Sequence, residues 1–407
     1  MDQLTRSVLD ARLTTPFSRR RLIQGAGGLA ALVVLGSRSV VRAQSGELNF
    51  IGYDGEDARN VAKPFFEANG ITVNPTFIAD PFEPLTRFQT GARGQLDVIS
   101  DNKDFMRSVI DAGVELFTPL DLTRIPNAAG LFPSFKTASW CVRDGNTYGI
   151  PLIWGDEPCV WDPAKWDAPP AKYTDFADPS WAGELVMVDD PVANTWLWAR
   201  SLGHPEPNRL TQAELDEAID AMLATKPNVV AFAATLGDQA DILIRGDASM
   251  AIGGWAYQIM IAKDKGVTLA SGSPEVDGTF FWSDAYSIAL DAPNLDTSYA
   301  FIDYMMSAEA NAAIASELGS GCTIEAALPL VDPAIAPLYP YDEVRAESGG
   351  VLDTQAVTPP KEDEGDVVGI AKWQEAWQRF KLDRKSTRLT PVTWPYLVCR
   401  LLLEKKK

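Results

Sequence analysis

Leu48-Asn49-Phe50-Ile51-Gly52-Tyr53 is an apolar run that breaks at the turn residues Asp54-Gly55-Glu56, and the chain then alternates. Residues 57–69 read as a helix closed by Gly70 at its C-terminal cap. Thr72–Phe77 reads as a second strand. A helix around 84–90 leads through Gly91 and Gly94 to a third strand, Leu96-Asp97-Val98-Ile99-Ser100. Residues 104–112 are helical and Gly113 stops them. Strand, helix, strand, helix, strand predicts an α/β fold with a parallel sheet. Ligands of such sheets sit at the carboxyl ends of the strands. Residues 53–56 and 100–104 therefore fall on one rim.

Further along, Tyr148-Gly149-Ile150-Pro151-Leu152-Ile153-Trp154-Gly155 is apolar and punctuated by Pro and Gly, as expected of a crossing into a second lobe. That lobe opens at 159–162. It continues with a strand at 184–189, a helix holding Trp196 and Trp198, and the capping box Thr211-Gln212-Ala213-Glu214. The helix behind that box puts Leu215, Ile219, Met222 and Leu223 on one face. Residues 238–245 are helical, and Met250–Ile252 is a strand running into Gly253-Gly254-Trp255. Phe281-Trp282-Ser283-Asp284 begins the return to the first lobe, ahead of a buried strand at 285–290. Helices at 297–306 and Ala308–Leu318 follow, the second capped by Gly319. After the acidic loop 361–366 comes a last helix with Trp373, Trp377 and Phe380.

Both ends read as foreign to this body. Ser18-Arg19-Arg20-Arg21-Leu22-Ile23 precedes a short apolar run, 25–36, and the small-residue site Val41-Arg42-Ala43. These are the parts of a secretory signal, and the run is shorter than the roughly 20 residues that span a bilayer. Paired arginines before a hydrophobic residue resemble the twin-arginine export signal, which moves folded proteins. From Asp383 the composition turns basic, and residues 383–407 resemble a translated adapter oligonucleotide. The predicted organisation is an export signal at 1–43, the first part of lobe one at 44–154, and lobe two at 155–280. The rest of lobe one with the C-terminal helices occupies 281–382, and a non-native tail 383–407.

Residues 44–382 hold 22 Lys and Arg against 51 Asp and Glu, a net charge of −29 against −19 for the whole chain. That excludes nucleic acid and anionic lipid as partners, since both need basic surface. It is compatible with a cationic ligand, although acidity alone mostly favours solubility. Some 340 residues exceed one ordinary core and imply two lobes. Three cysteines remain in the body: Cys141, Cys159 and Cys322. Cys141 and Cys159 flank a strand pair in a compartment that permits disulfides, and their spacing leaves the pairing open.

Much catalytic chemistry is missing. The single histidine, His204, sits in the turn Gly203-His204-Pro205-Glu206-Pro207 and reads as exposed. No His/Cys metal spacing, nucleophile elbow, P-loop or zincin motif occurs, and no cofactor is implied. A secreted carbohydrate-active hydrolase would need only two cleft carboxylates, with Asp156/Glu157 and Asp189/Asp190 as candidates. Adjacent carboxylates in one strand point to opposite faces, so neither pair alone forms a dyad.

Several segments together resemble the spermidine/putrescine-binding family of periplasmic ABC-transporter solute-binding proteins. They are 148–155, Trp181-Ala182-Gly183-Glu184-Leu185 before Asp189-Asp190, 222–230 with Pro227-Asn228-Val229, Ala251-Ile252-Gly253-Gly254-Trp255, and Phe281-Trp282-Ser283-Asp284. The resemblance implies the two-lobe periplasmic solute-binding protein fold (type II), with a ligand cleft between lobes. It implies a monomer that works with ABC permease subunits. It places ligand contacts at Tyr53, Asp190, Trp255, Trp282 and Asp284, where carboxylates pair with ammonium groups and aromatic faces cover a cationic chain. Glu56, Asn102, Asp104, Asp156, Glu157 and Ser320 are secondary candidates. Departures from the family pattern fall at Ala193, where a second acid is usual, at Asn102-Lys103-Asp104, and at Ser320-Gly321-Cys322 in place of a tyrosine. They shift the expected ligand from spermidine itself toward a shorter diamine, an amino-acid-like amine or another small organic cation.

Overall fold

The computed structural model describes residues 46–78, 82–136, 138–345 and 358–382. The expected export signal and the expected non-native tail lie outside them. Among the described residues, no helix is long and apolar enough to cross a membrane.

Two α/β lobes are built by one chain that leaves the first sheet and returns to it. β1 (Glu47–Gly52), β2 (Thr72–Phe77) and β3 (Val98–Asn102) run parallel. After a small hairpin, β4 (Val142–Arg143) with β5 (Asn146–Thr147), β6 (Gly149–Asp156) leads out and β7 (Cys159–Trp161) opens the second lobe. There β8 (Leu185–Val188), β9 (Val229–Ala233) and β10 (Met250–Ile252) run parallel, and β11 (Ala270–Gly272) pairs antiparallel with β7. β12 (Phe281–Ile288) returns between β6 and β3, and β13 (Gly321–Cys322) closes the far edge. The sheet orders are β13-β6-β12-β3-β1-β2 and β11-β7-β10-β8-β9.

Both sheets are covered on both faces, which is why central strands such as β6, β8 and β10 are buried throughout. Leu48, Phe50, Val98, Ile150 and Ile288 pack on one side of the first sheet. Ile51, Ile99, Phe105 and Ala285 pack on the other. In the second sheet Leu185, Met187 and Met250 face one cluster, while Val160, Val186 and Ala251 face the other. These splits follow the two-residue period of a strand.

The first helix is shorter than the expected 57–69. It spans Lys63–Asn69 with a proline in its opening turn, because proline has no N–H for an interior position, and Ala58 upstream has φ 51°. The return strand spans Phe281–Ile288, starting earlier and ending sooner than the expected 285–290. Pairing with β6, Phe281 opposite Asp156 and Trp282 opposite Gly155, extends it. His204 is not exposed: its side chain is 14% accessible and lies between Glu214, 3.5 Å away, and Glu217, 3.3 Å away. Cys141, Cys159 and Cys322 are buried free thiols.

The last helix, Ile370–Leu382, packs on the second lobe's sheet, apart from the strands and helices that precede it in 281–382. Trp373, Trp377 and Phe380 are buried in the cluster of the second sheet, with Trp196 and Met222. The Trp377 indole N–H donates to Asp189 Oδ1 at 2.7 Å, and Lys381 Nζ lies 2.8 Å from the same carboxylate. Val368 N–H bonds Leu210 O at 2.9 Å, which ties the approach to the helix to the same lobe.

Candidate functional site

Two adjoining cavities, of about 570 and 620 Å³, lie between the lobes and share Tyr53, Asn102, Glu157 and Trp282. All eleven residues expected to contact ligand line one or the other. Glu56, Asp156, Trp255, Asp284 and Ser320 belong to the smaller cavity, labelled inner, and Asp104 and Asp190 to the larger, labelled outer. They come together because parallel strands point their carboxyl ends the same way. Tyr53 and Glu56 follow β1, Asn102 ends β3, Asp156 ends β6, Asp190 follows β8 and Trp255 follows β10.

Trp282 and Asp284 are two residues apart in β12 and so share its cavity face. Trp282 stands over Gly155 in the neighbouring strand: a Cβ at Gly155 would meet the Trp282 ring at 2.5 and 2.7 Å. Gly155→Ala is therefore expected to displace the indole and weaken ligand binding by about tenfold, since one well-placed cation–π and packing contact is worth 1–2 kcal/mol. Titration calorimetry checks this, with an unchanged affinity counting against Trp282 as a contact. Trp255 owes its place to Gly253, whose φ of 64° turns the chain at the end of β10. Its ring lies 4.9 Å from that of Tyr257.

The carboxyl groups are buried and crowded. Glu56 and Asp284 are 3% and 8% accessible. Ser100 Oγ donates to Glu56 Oε2 at 2.7 Å, Asn102 Nδ2 lies 3.3 Å from Asp284 Oδ1, and the Tyr286 hydroxyl donates to the Glu56 carbonyl. Burial first, and then the charge of Asp284, push Glu56 well above the ordinary carboxylate range. Burial lifts Asp284 to about 6, held back by hydrogen bonds from Glu56 and Asn102. The pair therefore binds a proton more readily than two exposed carboxylates would. Burial alone raises Asp156 to about 7, and burial followed by Asp190 and Asp156 raises Glu157. A cluster of this kind lacks positive charge, and a cation inside it would restore the ionised forms.

Asp190 caps the helix Pro191–Ser201: its Oδ1 accepts from Val192 N at 2.7 Å and Ala193 N at 3.0 Å. Both bonds use one oxygen, so the cap and a ligand contact through Oδ2 are compatible. Asp104 is more committed, with Lys103 Nζ at 3.3 Å and Thr358 N at 3.4 Å. Ser320 Oγ is directed to Leu318 O at 3.3 Å. The neighbours Asp189 and Asp190 diverge, the first to Trp377 and the second to the cavity. No group of three or more His, Cys, Asp or Glu suited to a metal ion occurs among the described residues. Sequence reasoning missed Ser100, which orients Glu56, and Lys361 and Gln374, which enter the outer cavity from the C-terminal segment.

The family model described as bacterial extracellular solute-binding protein matches residues 60–338. The chain belongs to this family. Two relatives illustrate the likeness. The putrescine-binding periplasmic protein PotF of Escherichia coli is 24% identical over 298 residues, 68% of this chain and 77% of PotF. The putrescine-binding periplasmic protein SpuD of Pseudomonas aeruginosa is 28% identical over 290 residues, 66% of this chain and 76% of SpuD. Among solved structures, the spermidine/putrescine ABC transporter substrate-binding protein PotD of Streptococcus pneumoniae superposes with a TM-score of 0.66 at 20% identity. That match covers 83% of this chain and 99% of PotD, and it places the binding protein in the same two-lobe fold.

Proposed function

We propose that this protein captures a small organic amine, polyamine-like in carrying ammonium charge, and passes it to ABC permease subunits. The observation that carries the reading is the convergence of Glu56, Asp156, Glu157 and Asp284 with Trp255 and Trp282 around one inner cavity whose lining holds no basic residue. Carboxylates supply the counter-charge and acceptors for an ammonium group, and the indole faces cover the alkyl chain. Closure of the lobes about the β6/β12 crossing would seal the amine from water. The relatives that bind putrescine support the class of ligand.

A thermal-shift screen against diamines, amino acids, betaines and neutral sugars tests this, because ligand at about 100 times its Kd adds roughly 2.7 kcal/mol. Stabilisation by amines and not by sugars is expected; the reverse would reject the reading. The hydrolase alternative predicts turnover of a chromogenic glycoside, whereas saturable binding without turnover is expected here.

The raised carboxyl groups give the reading a pH signature. Folded values of about 6 for Asp284 and about 7 for Asp156 exceed the unfolded value, which is about 4. The ligand-free fold then holds more protons than the unfolded chain across this window, so these groups stabilise it at low pH and that contribution fades as pH rises toward 7. A cation reverses the preference. Affinity is expected to rise from pH 5 to pH 8, with protons released on binding near pH 6. Calorimetry in buffers of different ionisation enthalpy measures the release, and binding without it would remove these carboxyls from the site.

The reading also includes periplasmic location, a monomeric state and export by the twin-arginine route. Replacing Arg19, Arg20 and Arg21 with Lys keeps the charge and is expected to retain the protein in the cytoplasm. Normal export of that variant would point to the general secretory route instead.

A further inference from the structure

Lys361 introduces a positive charge at one end of an otherwise acidic cleft. It lines the outer cavity with Gln374, Thr86 and Asn102, and it lies outside the lining of the inner one. Its Nζ stands 5.9 Å from the Phe82 ring across the cleft and makes no ion pair among the described residues. The segment bearing it is anchored in lobe two by the Val368 N–H bond to Leu210 O, while Thr358 N reaches Asp104 in lobe one. The lysine is therefore held at the mouth between lobes by structure on both sides. Of the acidic residues in the same cavity, Asp104 has Lys103, Asp190 spends one oxygen on two helix N–H groups, and Glu157 is shared with the inner cavity. The inner cavity, by contrast, presents Glu56, Asp156 and Asp284 with no basic residue in its lining.

A symmetric diamine long enough to occupy both cavities would set one ammonium in the inner carboxyl cluster and the other beside Lys361. Like charges in a partly desolvated cleft repel. A chain ending in a carboxylate has the opposite outcome, with a charge-assisted bond from Lys361 and an amide donor from Gln374. From this polarity we infer that the preferred ligand is an amino acid of the ω-amino type, its ammonium in the inner cavity and its carboxylate at Lys361. The inference rests on the organic-amine reading above and narrows it.

Matched pairs test it: 4-aminobutanoate against putrescine, 5-aminopentanoate against cadaverine, and 6-aminohexanoate against 1,6-diaminohexane, by titration calorimetry at pH 7.5. At least one amino acid should bind about tenfold or more tightly than its diamine partner. Lys361→Met retains the side-chain length at an exposed position. It is expected to weaken amino-acid binding by about tenfold, the size of one lost charge-assisted bond, and to leave diamine binding unchanged or tighter. Tighter binding of the diamines by the unsubstituted protein, or a Lys361→Met variant with unchanged affinity for both series, overturns the inference and leaves the organic-amine reading standing. Binding of neither series overturns both.

Discussion

Asp284→Asn is expected to weaken binding of an amine ligand by about 100-fold, the cost of leaving a buried charge without its partner. The same change should leave the ligand-free protein as stable or slightly more stable. Asp284 is buried beside Glu56, and burial already lifts it to about 6. An amide in its place keeps the shape, still accepts from Asn102, and removes the repulsion that Glu56 feels. Opposite signs in two measurements, calorimetric affinity and the ligand-free melting temperature, separate a binding carboxylate from a structural one. A variant that melts much lower yet binds normally would show that Asp284 serves the fold. Glu56→Gln should act in the same direction, because Glu56 belongs to the same buried pair.

The second large effect belongs to stability. Trp377→Ala is expected to cost about 3–5 kcal/mol, as for other large-to-small changes at fully buried aromatics. Trp377 is 1% accessible, packs within 4.9 Å of Phe380 by ring centroid, and donates to Asp189. Losing the donor strands a carboxylate that Lys381 then holds alone. A domain stable by about 5–15 kcal/mol would lose a large part of that margin. Trp377→Phe should cost less, since it retains most of the packing and forfeits the hydrogen bond. Denaturant titration reads both. A loss under about 1 kcal/mol for the alanine variant would mean that the last helix is an appendage to lobe two and not part of its core.

Local signals explain why much was legible early. The edges of β2 and β10 and of the helix Ala308–Leu318 fall where apolar periodicity and capping residues put them. The Thr211 box forms as read, with Thr211 Oγ1 accepting from Glu214 N at 3.3 Å and Glu214 Oε2 accepting from Thr211 N at 2.7 Å. Each is decided within a few residues, by backbone hydrogen bonds that need a cap or by a face that must be buried. The first helix was overextended for the same local reason in reverse: its polar start carried no breaker except Pro64, whose ring belongs in a helix's first turn.

By itself, the sequence determined that the body is an acidic, two-lobe α/β chain with one set of strand ends rich in Tyr, Trp and carboxylates. It did so because strand period, capping and composition are local properties. Tertiary structure alone decided which of those carboxylates face each other, since Glu56 meets Asp284 across more than two hundred residues through the alignment of β1, β3 and β12. It alone decided that the last helix completes lobe two and brings Lys361 to the mouth of the cleft. An amphipathic helix specifies that it must be covered, not by what, and a charged residue in a polar loop carries no signal of the cavity it will line until the chain has closed around it.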